Sequence, residues 1–258
     1  MSAGSARYGL LLDCDGVLAD TELDGHLVAF NRAFADLGYP IEWSADEYVD
    51  LLEVPGGKER LRAYFARHPQ LGVVTAEELD EAVAALHRRK SEVYVERVEA
   101  GALPGRPGVR RLVHAALDAG WDVAVASTST QRSVEALLRS VVGSQAVTRM
   151  SGVFAGDIVE QKKPAPDIYE LALSRVGTEP ERTLVIEDSV PGATSAHRAG
   201  LRHLVTVSYP TRHDKFPSAE AVMDHLGDPG QPSTVLDGRD VRNADGCIDV
   251  NSLHALLQ

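Results

Sequence analysis

Two carboxylates separated by one residue, Asp13 and Asp15, stand directly after a short apolar run and directly before Gly16 and Val17. Acids at i and i+2 of an extended chain can approach one ligand together. One could then attack it or hold a metal while the other gives and takes a proton. A pair of loop acids capping a helix would look the same in isolation. Further polar groups change the reading. Ser127-Thr128-Ser129 follow an apolar run at 121–126 and offer hydroxyls to phosphoryl oxygens, and Glu187-Asp188-Ser189 follow another at 183–186 and offer a carboxylate pair to a hard cation. Between them, Lys162-Lys163-Pro164 can supply positive charge to the same place. Hydroxyls and acids often cap helices, and lysine pairs usually face solvent. Those explanations serve each group singly but do not account for all of them recurring together.

The elements that must position these groups can be read from the same pattern. The apolar runs at 8–13, 121–126, 183–186 and 204–207 predict buried strands of a parallel sheet, with helical stretches between them. The fold class is α/β, doubly wound. Ligands of such sheets bind beyond the carboxyl ends of the strands, where Asp13, Ser127 and Glu187 fall. From Asp20 to about Ala100 the strand signal stops, and amphipathic helices are predicted over 24–37, 57–67 and 76–98. The segment 101–108 holds three glycines and two prolines, a hinge composition. The expected division is a core of residues 1–20 and 101–258 carrying a helical insert over 21–100. Residues 227–243, rich in Gly, Pro and Asp, are predicted to be irregular, with a short helix over 249–257.

Composition narrows the function classes. The chain has 258 residues, 44% of them hydrophobic and 25% charged, which suits a folded globular protein. A formal net charge of −12 repels nucleic acid and anionic membrane surfaces, so neither is an expected partner. The two cysteines, Cys14 and Cys247, make neither a disulfide framework nor a zinc site and point to a reducing, cytoplasmic compartment. The apolar run from Gly9 to Leu12 is far too short for a signal core or a membrane span. A soluble, cytoplasmic monomer is expected.

The order Asp13-x-Asp15-Gly16-Val17, Ser127, Lys163-Pro164 and Glu187-Asp188-Ser189 resembles the four motifs of the haloacid dehalogenase superfamily, across nearly the whole chain. The resemblance implies a Rossmann-like core with a helical cap inserted after the first motif. It also implies that Asp13 is the nucleophile and Asp15 the general acid/base, with Ser127, Thr128 and Lys163 on the phosphoryl group. Mg²⁺ would be bound by Asp13, the Asp15 carbonyl and Asp188, with Glu187 supporting or joining them. Chemistry favours the same roles: a carboxylate attacking a phosphate dianion needs cations to offset the repulsion.

A narrower resemblance, to CbbY-like phosphatases, rests on Asp20-Thr21-Glu22-Leu23-Asp24-Gly25-His26, Phe30-Asn31, Gly56-Gly57-Lys58-Glu59-Arg60, Phe154-Ala155-Gly156-Asp157 and Leu226-Gly227-Asp228-Pro229. It implies a small phosphorylated sugar as substrate, specifically xylulose 1,5-bisphosphate, and a connection to the Calvin cycle. The Gly56-Gly57-Lys58 turn lets backbone amides approach an anion beside a lysine, which would suit a phosphate distant from the scissile one. Glu22 and His26 are candidates for sugar contacts. Trp43, Trp121 and Cys14 are expected to pack, and His197, His203 and His213 form no metal spacing. Two alternatives use similar residues: a β-phosphoglucomutase-type transfer, and a phospho-accepting signalling module. The second needs neither a cap nor a proton donor for a leaving sugar.

Overall fold

Leu10, Leu11 and Leu12 are fully buried, and the run Gly9–Leu12 forms strand β1 at the heart of a sheet. In this computed structural model residues 7–71 and 75–258 are described; residues 1–6 of the first core segment and 72–74 of the insert lie outside them. The other strands are β2 (Asp122–Ser127), β3 (Gly152–Ala155), β4 (Thr183–Glu187), β5 (Arg202–Thr206), β6 (Ala221–Met223) and β7 (Val235–Gly238). They make one seven-stranded sheet in the order β3-β2-β1-β4-β5-β6-β7. All neighbours are parallel except the final pair, where β7 runs antiparallel to β6. This is the doubly wound, Rossmann-like order, and its parallel register sets the carboxyl ends of β1, β2 and β4 side by side. Leu12 pairs with Val125 on one side and with Ile186 on the other. Asp13 continues the ladder, its N–H donating to Ile186 O at 2.9 Å.

The chain divides into two compact units, Met1–Asp20 with Pro104–Gln258, and Thr21–Leu103. The second unit is helical: a π-helical segment, Glu22–Leu27, leads into α1 (Val28–Asp36), followed by α2 (Ala45–Leu51), α3 (Gly57–Arg67) and α4 (Ala76–Glu99). The single helix expected over 24–37 is therefore two helical segments of different pitch. Gly25 sits in the π-helical part, where a Cβ would come within 2.9 Å of Tyr94 and 3.0 Å of Leu103. Phe30, Phe34, Trp43, Tyr48, Leu61 and Leu86 form this unit's own core. Thr75 and Glu78 close a reciprocal capping box at the start of α4.

In the first unit α5 (Val109–Asp118), α6 (Gln131–Val142), α7 (Ser144–Val147), α8 (Asp167–Val176), α9 (Val190–Arg198) and α10 (Val250–Leu256) accompany the strands. Helix α8 packs Ile168, Tyr169 and Ala172 on the face carrying Leu11, Ala124, Ala126 and Val185. Within 227–243, predicted to be irregular, the structure forms β7, a short, mostly exposed edge strand. No helix among the described residues is long and apolar enough to cross a membrane.

Candidate active site

At the carboxyl edge of the sheet, Asp13, Ser127, Lys163, Glu187 and Asp188 are all buried. The Lys163 Nζ donates to Asp13 Oδ1 and to Glu187 Oε1, each at 2.6 Å, and to the Ala126 carbonyl at 3.1 Å. Lys162, its neighbour, turns to Asp157 at 3.2 Å instead, so the lysine pair is split between site and surface. Tyr169, delivered by α8, donates its hydroxyl to Glu187 Oε1 at 2.5 Å. The other oxygen of Glu187 accepts from the Asp188 N–H at 3.1 Å and from Ser189 Oγ at 3.3 Å. Glu187 is thus committed on both oxygens, and its strongest partner is Lys163.

Asp15, half-buried, is oriented by Ser129, whose Oγ donates to Asp15 Oδ2. Ser127 Oγ accepts from the Ser129 N–H at 3.1 Å, which shapes the turn leaving β2. Thr128 lies between them, half-buried. Gly16 must be glycine twice over: its φ is +76°, and a Cβ there would lie 2.0 Å from Asp188 Oδ2. Gly192 plays the same part for Glu187, again at 2.0 Å.

One lysine faces several acids here, and the imbalance shows in their protonation. The Asp13 carboxyl is pushed up to about 7 by burial, with Glu187 and Asp15 adding to the rise and Lys163 opposing it. Burial works against the Lys163 ammonium, but Asp13 and Glu187 outweigh it and hold the group charged, well above the usual lysine range. The Tyr169 phenol is likewise raised by burial first and then by Glu187, so it stays a neutral donor. Carboxylate oxygens of Asp13, Glu187 and Asp188 lie within 4.8 Å of one another. Three buried, hard oxygen donors with too little positive charge fit a divalent cation.

The candidate residues of the insert make a separate arrangement within that unit. Glu22 accepts from the Tyr48 hydroxyl at 2.7 Å, and Tyr48 in turn accepts from Arg60 Nη1 at 3.2 Å. His26 is buried, its Nδ1 accepting from Lys90 Nζ at 2.9 Å and its ring lying 4.4 Å from that of Tyr94. Gly57 opens α3 against His87, with 3.0 Å to a would-be Cβ, and Lys58 follows it half-buried. Trp43, Trp121 and Cys14 are packing residues, as expected.

Tyr169, Tyr48 and Lys90 escape the sequence patterns, each being a polar group on the buried side of an amphipathic helix. The only available signal was a hydroxyl or amine at a position that periodicity assigns to the core.

Comparison with known proteins agrees with this geometry. The family model described as haloacid dehalogenase-like hydrolase matches residues 9–200. A CBBY-like protein of Arabidopsis thaliana is 42% identical over 222 residues, covering 85% of this chain and 69% of that protein. Protein CbbY of Cupriavidus necator is 42% identical over 228 residues, covering 86% and 87%. The crystal structure of a CbbY variant from Rhodobacter sphaeroides in complex with xylulose-(1,5)bisphosphate superposes with a TM-score of 0.77 at 39% identity, covering 87% of this chain and 96% of that one. With Asp13, Lys163 and the Glu187–Asp188 acids gathered at one sheet edge, the chain belongs to the haloacid dehalogenase-like hydrolases and is a phosphoric monoester hydrolase.

Proposed function

We propose that this enzyme is a Mg²⁺-dependent sugar-bisphosphate phosphatase acting on xylulose 1,5-bisphosphate through an aspartyl-phosphate on Asp13. The observation that carries the mechanism is the buried Asp13–Lys163 pair at 2.6 Å, beside Glu187 and Asp188. The substrate reading is supported by the 39% identical CbbY solved with that bisphosphate.

In the first step a carboxylate oxygen of Asp13 attacks phosphorus, and the ester P–O bond to the sugar breaks. Asp15 gives its proton to the leaving oxygen. In the second step Asp15 takes a proton from water as the water oxygen attacks the same phosphorus, releasing phosphate and restoring Asp13. Ser129 keeps Asp15 in place for both transfers. Lys163 offsets the charge of Asp13 as the phosphate dianion approaches, and Ser127 and Thr128 receive the phosphoryl oxygens. Asp13, Asp188 and the Asp15 carbonyl would hold Mg²⁺, with Glu187 chiefly anchoring Lys163; the ion supplies the positive charge that this acid cluster lacks. Glu22 and His26 bind the sugar, and Gly57 and Lys58 bind the second phosphate, making residues 21–100 a substrate-binding cap. All of these groups come from one chain, so a monomer suffices. The reading assigns the enzyme to the cytoplasm and to a role beside the Calvin cycle.

The test is phosphate release from a panel of sugar mono- and bisphosphates with Mg²⁺ or with excess EDTA. Selective, Mg²⁺-dependent release from xylulose 1,5-bisphosphate is expected. Equal release from many monophosphates would overturn the substrate, and an isomerised sugar phosphate without free phosphate would indicate a mutase.

A further inference from the structure

Asp188 sits between two walls that come from different segments of the chain. Gly16 forms one, its missing side chain leaving room for Asp188 Oδ2. Ser208, buried two residues beyond β5, forms the other and donates its Oγ to that oxygen at 2.6 Å. A single guanidinium ties the two walls together. Arg106, only 9% exposed, donates to the Gly16 carbonyl, to Thr206 O at 3.0 Å, to Val207 O at 2.6 Å and to Asp224 O at 2.5 Å. Its Nε faces Asp20 at 3.4 Å. Two of those carbonyls mark the seat of Asp188: one belongs to Gly16 itself, and one to the residue that precedes Ser208.

A planar fork of N–H donors can join carbonyls on several segments at fixed angles, which a lysine ammonium on its flexible stem does far less well. Burying such a cation mainly among neutral carbonyls is expensive for stability alone. The arrangement is better explained by what it holds still.

We propose that Arg106 and Ser208 are positioning residues for Asp188: Arg106 fixes the spacing of the two walls, Ser208 orients the carboxylate, and together they set the enzyme's affinity for its divalent cation. The proposal rests on the metal reading above. Residues that orient a metal ligand without touching the metal typically change affinity by about 10–100-fold when replaced.

Isothermal titration of the full chain with MgCl₂ alone tests this, alongside thermal unfolding in EDTA. Ser208→Ala is expected to weaken Mg²⁺ binding by about 10-fold in a protein that still folds in EDTA, with a melting temperature lowered by the loss of one hydrogen bond to a buried carboxylate, and Ser208→Thr, which keeps the hydroxyl, should restore binding. Arg106→Lys should weaken binding in the same direction. Unchanged Mg²⁺ affinity in Ser208→Ala would overturn the proposal. An Arg106→Lys protein that binds Mg²⁺ normally, or that does not fold, would overturn the positioning role of Arg106 and leave it a purely structural one. A wild-type protein that takes up no Mg²⁺ would instead overturn the metal reading itself, and the proposal with it.

Discussion

Replacing Asp13 by asparagine should make the metal-free protein more stable. The Asp13 carboxyl is pushed up to about 7 from an ordinary 3.8, by burial first and then by Glu187 and Asp15. Between those two values the folded protein holds a proton that the unfolded chain has already lost, so stability falls as pH rises across that window and levels off above pH 7. The accumulated penalty is on the order of 4 kcal/mol above the window and roughly a third of that at pH 5. Asn mimics the neutral acid in shape and removes the titration. In EDTA, Asp13→Asn should therefore exceed wild type in melting temperature by about 8–16 °C at pH 8, taking about 2–4 °C per kcal/mol for a chain of this size. The gap should narrow steadily towards pH 5. Circular dichroism melts of both proteins from pH 5 to pH 8 measure it. An Asn variant that is less stable than wild type at pH 8, or a gap that does not vary with pH, would refute the charge-imbalance argument.

Other consequences follow from single contacts. Lys163→Met leaves Asp13 and Glu187 without their shared cation and should destabilise the protein by about 3–5 kcal/mol in urea titrations at pH 8. Its turnover should fall about 10²–10³-fold. Tyr169→Phe removes a hydroxyl that donates to Glu187 at 2.5 Å and should cost about 1.5–3 kcal/mol by the same titration. Gly16→Ala would force a methyl onto the Asp188 carboxylate at a φ of +76°, and the variant should lose phosphate release even at high Mg²⁺.

Much of this site was legible along the chain because its chemistry is anchored at strand ends. Each of Asp13, Ser127 and Glu187 ends an apolar run or directly follows one, and a parallel sheet brings such ends together whatever lies between them. The helical stretches after Asp20 were legible for the converse reason, since short continuous apolar runs give way there to amphipathic helical periodicity. The edge strands were not. β3 begins with glycine and is mostly half-buried, and β7 is largely exposed, so neither carries the continuous apolar signal of a central strand. Nor could local pattern reveal Arg106 and Ser208. Arg106 meets Val207 across 101 positions and Asp224 across 118, while Ser208 reaches Asp188 across 20. Their meaning lies in which carbonyl or carboxylate the fold brings to them, information that no window of the sequence holds. Gly25 in the π-helical segment is similar, its missing side chain leaving room for Tyr94 and Leu103 far along the chain.

The central claim is that Asp13 itself carries the phosphoryl group. Rapid acid quench of wild-type enzyme during turnover of xylulose 1,5-bisphosphate with Mg²⁺, followed by peptide mass analysis, tests it most directly. A single phosphoryl group is expected on the peptide containing Asp13, labile to hydroxylamine and absent from Asp13→Asn. Steady turnover with that peptide unmodified, or a phosphoryl group still present in Asp13→Asn, would contradict the account.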